Sequence, residues 1–254
     1  MPPKRSAASG AGGGGGAKRA KAWRPAGKAG MLSEGLRGVL VTCHTHRMRE
    51  AAGEALALIR DRIAEHATAA TAAAGGAEAG GGLDAELAAL RQEREKLYQV
   101  DTGIKGVLLI ALRPSAGEVE PEALVAGLFE EMQAGRVAVP REVIRLTPLA
   151  LTLKGRLADA EKALPALLEP FFGAGAPPTR WNVVFKKRST SPDVTAREWV
   201  PALAKLVDAR HPVDLENPEV SVLVEVFRAS CGLCVSRNFH RCQEFNCQKV
   251  EPPT

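Results

Sequence analysis

The stretch R-W-N-V-V-F-K-K-R, from Arg180 to Arg188, runs an alternating apolar strand straight into three consecutive cations. Period-two alternation sends Trp181, Val183 and Phe185 to one face and Asn182, Val184 and Lys186 to the other. Lys186, Lys187 and Arg188 are therefore expected at the rim of a sheet, a position suited to a phosphate backbone. Thr195 and Glu198 have capping-box spacing, which puts the run in a strand-to-helix turn whose unpaired N–H groups add positive potential. The competing reading is a strand end kept soluble by charge. Either way the side chains are expected to stand free, so that alanine at all three positions leaves the fold intact.

Further on, V-D-L-E-N-P (Val213 to Pro218) leads into V-S-V-L-V-E-V-F (Val220 to Phe227), apolar on both faces and so expected inside a covered sheet. Together with R-E-V-I-R-L-T-P-L (Arg141 to Leu149), these segments come in the order and spacing of a THUMP domain, which they resemble. With L-R-G-V-L-V-T-C (Leu36 to Cys43) near the start, the chain is similar to the THUMP-only adaptor family of eukaryotic tRNA cytidine acetylation. The resemblance covers about residues 34 to 240 and is strongest over 141 to 228.

Working outward, the first 30 residues carry seven cations and no acid, whereas 31–100 sum to −2 and 101–254 balance at 19 against 19. The net charge of +5 is thus a property of the tail, and any binding face elsewhere has to come from local clustering. Residues 1–33, rich in Gly and Ala, read as a disordered basic tail. Its K-R and K-R-A-K clusters (4–5 and 18–21) are compatible with a bipartite nuclear import signal or a non-specific RNA-binding arm, and a nuclear location is expected. Gly12 to Gly16 follow no strand and meet no G-K-[ST], so a phosphate loop fails on context. No apolar run approaches the roughly 18 residues that span a bilayer, and no membrane partner is expected.

Gly38 to Cys43 reads as a buried strand and Met48 to Glu65 as a helix. Ala67 to Gly82 is Ala/Gly-rich and reads as an insertion, Leu83 to Leu97 as a helix, and Lys105 to Leu112 as a second strand. Two strands and two helices suggest a small ferredoxin-like α+β lobe over 34–113. Next come a helix opening at Pro121, strand Arg141 to Thr147, a helix from Lys154 to Phe172 that Pro165 should kink, the basic strand, a helix from Ala196 to Ala209, and strands Val220 to Phe227 and Leu233 to Arg237. This order gives a mixed sheet layered by helices over 114–240, the arrangement the THUMP resemblance implies, with 241–254 as a C-terminal tail.

A search for catalytic chemistry finds no G-x-S-x-G, H-E-x-x-H, Walker loop or G-x-G-x-x-G after a strand. No enzymatic activity and no cofactor are expected. Cys231, Cys234, Cys242 and Cys247, spaced C-x2-C-x7-C-x4-C, hold enough thiolates for zinc. The odd spacing of the first pair along a strand, and the lack of a site here in the resembled family, favour reduced core and tail thiols. Trp181 and Trp199 sit at core positions rather than on a base-stacking platform.

The resemblance implies a non-catalytic adaptor that presents tRNA to a separate RNA cytidine acetyltransferase, acting on a cytidine of the D-arm. Lys186, Lys187 and Arg188 would meet phosphates, supported by Arg145 and by Arg141 and Lys154, whose charges could instead form helix–strand salt links. Two other classes stay open: a protein-interaction scaffold without RNA contact, and a self-contained RNA-modifying enzyme.

Overall fold

The computed structural model describes residues 30–73, 96–116 and 119–251; the expected tail up to residue 29, the rest of the insertion and most of the helix expected over 83–97 lie outside the described residues. The first sheet contains β1 (Gly30–Met31), β2 (Arg37–Cys43), β3 (Leu97–Ile104), β4 (Val107–Leu112) and β5 (Val143–Leu149), in the order β1-β3-β4-β2-β5. Helices α1 (Met48–Ala73) and α2 (Pro121–Gln133) bury Ala55, Ile59, Leu124 and Phe129 against Val39, Val41, Leu108 and Ile110. β2-α1-β3-β4-α2-β5 is the ferredoxin-like split βαβ order.

The lobe is as expected, but its extent is not: the sheet is completed by α2 and β5, which the sequence reading had grouped with the second unit, so it runs to Leu149 rather than 113. The sequence could not show this. A strand's apolar pattern says that it is covered, not which sheet it joins. Three smaller differences have local causes. Gly30–Met31 pairs in parallel with Val100 and Asp101, drawing the end of the supposed tail into the sheet. α1 continues to Ala73, into the Ala-rich stretch read as an insertion, because alanine is the strongest helix former. β3 has no period-two signal in the sequence, because only Leu97, Val100 and Thr102 of its eight residues are buried and its register shifts between Asp101 and Ile104.

The second sheet is β6 (Leu151–Lys154), β7 (Trp181–Arg188), β8 (Val220–Phe227) and β9 (Ser230–Ser236), ordered β6-β9-β8-β7, with β7 and β8 parallel. Helices α3 (Leu157–Phe172) and α4 (Ala196–Ala204) cover its outer face, where Leu164, Leu168, Trp199 and Leu203 pack on Trp181, Val222, Val224 and Leu233. Pro165 and Pro170 leave α3 continuous. Both are exposed, so water can reach the carbonyls of Glu161 and Ala166 that their missing N–H groups leave unpaired. Thr195 is the N-cap of α4 as expected, but its side chain makes no capping bond.

The inner face of the second sheet turns toward the first, with Leu223 and Cys234 in the same core as α1 and α2. That core is closed by the segment expected to be a tail. Cys242, Phe245, Cys247 and Val250 are buried in it, and the Phe245 ring meets Phe129 and Phe239 edge-on, each at 5.8 Å. Gln243, Glu244 and Phe245 all have φ near +55°, a left-handed turn that L residues adopt only when the surroundings impose it.

Candidate nucleic-acid interface

Parallel register places Lys186 beside Glu225 and Arg188 beside Phe227, on the face of β7 that looks toward the first sheet. Their amino and guanidinium groups do not stand free. Lys186 Nζ lies 4.0 Å from Glu225 Oε1, and Arg188 Nε lies 3.4 Å from Glu225 Oε2, an ion pair whose geometry falls short of a hydrogen bond. The Glu225 side chain is only 3% exposed, against 27% and 28% for the two cations. Burial pushes the Glu225 carboxyl above the usual carboxylate range, outweighing the pull of Arg188, Lys186 and Arg145. Burial likewise holds the Lys186 ammonium below its usual range, against the attraction of Glu225.

The expectation of three free rim charges is therefore corrected. Strand alternation turns Lys186 and Arg188 inward toward a buried acid, and only Lys187 is exposed, donating from Nζ to the Val194 carbonyl at 2.8 Å. Exposed Arg228, which the sequence reading passed over, joins the edge from the β8–β9 turn, with its N–H donating to the Arg188 carbonyl. Lys187, Arg188 and Arg228 together mark the carboxyl ends of the parallel strands.

Arg145 is brought to the same junction, since it acts electrostatically on both Lys186 and Glu225, but it has a structural task. Its Nη1 donates to the Glu244 carbonyl at 2.7 Å and lies 3.6 Å from the Glu244 carboxylate, anchoring the left-handed turn. Lys154, at the end of β6, pairs with Glu34 in the turn before β2 at 3.1 Å, an ion pair between a strand and a turn where a helix–strand link was the expected alternative. Arg141 lies in the loop before β5, in an open pocket with Glu54, Leu58 and Val139. Glu225 itself carried a signal in sequence, a single acid in a strand otherwise apolar enough to be fully buried.

Residues 156–236 match the THUMP domain. The human THUMP domain-containing protein 1 is 31% identical over 244 residues, an alignment covering 89% of this chain and 67% of the relative. The chain belongs to the THUMP domain-containing protein 1 family. The solution structure of the THUMP domain of a THUMP domain-containing protein 1 is 34% identical over 31% of this chain and 82% of that one, with a TM-score of 0.28. A 4-thiouridine synthetase–RNA complex with bound ATP covers 79% of this chain and 41% of its own, at 12% identity and a TM-score of 0.43. THUMP domains are associated with RNA binding and tRNA modification, and THUMP domain proteins bind tRNA.

Within the family framework, Trp181 and Trp199 are core residues, both buried, with Trp181 Nε1 donating to the His211 carbonyl at 3.0 Å. The four C-terminal cysteines are buried and reduced. Cys231 packs in the outer core of the second sheet and Cys234 in the inner one, opposite faces of one strand. Among the described residues no group of three or more His, Cys, Asp or Glu is placed to hold a metal ion. Burial pushes the thiols of Cys231, Cys242 and Cys247 up to about 12, so the thiolate that would ligate or react is suppressed. No helix among the described residues is long and apolar enough to cross a membrane.

Proposed function

We propose that this chain is a non-catalytic tRNA-binding adaptor that presents tRNA to a separate RNA cytidine acetyltransferase for N4-acetylcytidine formation in the D-arm. The observation that supports this reading is the basic edge, Lys186, Lys187, Arg188 and Arg228 gathered at one end of a THUMP-domain sheet. Contacts from such an edge to phosphates position an RNA without reading its bases. The adaptor's contribution is then the orientation and effective concentration of tRNA at the enzyme. The basic clusters before residue 29 give the adaptor a nuclear address, tested by following the location of a chain that starts at residue 30.

Reconstitution tests the assignment. The protein with tRNA and acetyl-CoA alone should yield no acetylcytidine; added to the acetyltransferase, it should raise acetylation of cognate tRNAs, and Lys187→Glu should reduce that gain. Product formed without the partner would establish an enzyme. Full stimulation by a variant that no longer binds tRNA would establish a scaffold. The scaffold reading draws on one observation of its own, the exposed aliphatic side chains Val213 and Leu215, the latter 74% exposed, on a loop at the other end of β7 and β8.

A further inference from the structure

Every residue of β8 is buried, Glu225 included. A lone carboxylate in such a strand is strongly disfavoured unless something pairs with it. The residue opposite on β9 is Gly232, where a side chain would collide with Leu149, so β9 sets no side chain directly across from Glu225. On the other side the register sets Lys186 directly alongside, and Arg188 follows on the same face about 6.6 Å further on. Each carboxylate oxygen faces one of the two cations. Arg145 from β5 completes the positive surroundings, Glu244 from the C-terminal turn acts on Lys186, and Cys231 on β9 is a neutral neighbour.

Partial exposure means that Lys186 and Arg188 keep an outward side for a ligand while their inward side is held. We propose that Glu225 is a positioning residue of the RNA-binding edge, a buried counter-ion that fixes Lys186 and Arg188 in one orientation and mutes their attraction for RNA that does not match it. The proposal rests on the reading that this edge contacts RNA. It makes the edge selective for shape, since a flexible RNA meets cations already neutralised from within, whereas a folded tRNA held by Lys187 and Arg228 engages their outward faces.

The test measures affinity for a tRNA transcript and for an unstructured polyuridine RNA across a salt series, using the full chain. Glu225→Gln keeps the side chain's shape and removes its charge. It should tighten polyuridine binding several-fold, lower the preference for tRNA, and steepen log affinity against log salt by about one, as the released cations take up additional phosphates. Glu225→Asp, which keeps the charge, should restore the wild-type slope and preference. An unchanged slope and preference in the Gln variant, a loss of affinity at constant slope, or an Asp variant that behaves like Gln overturns the proposal. A separate control, Lys186→Gln and Arg188→Gln combined with Glu225→Gln, leaves no buried charge unpaired; tRNA binding by that triple variant equal to wild type overturns the RNA-edge reading itself.

Discussion

Lys186, Arg188 and Glu225 form a unit in which removing the cations and removing the acid have opposite consequences. Alanine at Lys186 and Arg188 leaves a buried carboxylate without partners, which costs about 3 kcal/mol, at the low end for a broken buried pair because the carboxyl can take up a proton instead. The double variant should therefore melt well below wild type, and adding Glu225→Gln should recover most of the loss; equal melting temperatures for double and triple variants would refute the coupling. Protonation gives a second handle. The folded Glu225 carboxyl titrates above its reference value of 4.5, so its stabilising contribution is complete below that pH and is lost as pH rises through the raised value. Melting temperatures of wild type and Glu225→Gln, compared from pH 4 to 8, should diverge in favour of the Gln variant as pH rises. A gap that shrinks with rising pH would show that ionisation of Glu225 stabilises the fold.

Among the elements, the segment after β9 changed most between sequence and structure. Its apolar residues, Cys242, Phe245, Cys247 and Val250, follow neither a helical nor a strand period, so nothing in the pattern distinguishes a folded strap from a tail. What holds it is long-range: Phe245 between Phe129 and Phe239, and Arg145 on the Glu244 carbonyl. Phe245→Ala should destabilise the protein by about 3–5 kcal/mol, read in a denaturant melt. Arg145→Ala should also lower stability, which separates its structural task from RNA contact. The buried thiols of the strap should resist thiol reagents in the native protein and react only on unfolding, a chelator changing nothing; rapid native labelling of Cys242 or Cys247 would show that the strap opens.

At the scale of the whole molecule, parallel β7 and β8 set two different surfaces at opposite ends. The carboxyl ends carry Lys187, Arg188 and Arg228; the amino ends meet the V-D-L-E-N-P loop, where Asp214 accepts the N–H groups of Glu216 and Asn217 and where Val213 and Leu215 are exposed. Strands of eight residues separate the two by about 23 Å. Functions at the two ends should separate by mutation. Lys187→Glu should weaken tRNA binding and reduce the salt slope by about 0.7–0.9 with no change in melting temperature. Leu215→Asp should leave tRNA affinity unchanged while reducing stimulation of the acetyltransferase. Loss of tRNA affinity in Leu215→Asp would merge the two surfaces into one.

Local pattern alone determined most of the elements: the period of β7, the doubly apolar β8, Pro121 at the first position of α2, and the stripes of α1 and α3, because each reflects an apolar face that must be covered. It also located the cations, since a run of three is legible wherever it falls. Tertiary structure decided what those cations do. Whether Lys186 meets water or a buried acid depends on the register of β7 against β8, whether α2 and β5 join the first sheet or the second depends on pairing across the chain, and whether residues 241–251 are tail or strap depends on contacts with side chains more than a hundred positions away. Periodicity encodes that a face is buried; the identity of what buries it is a long-range property that only the folded chain supplies.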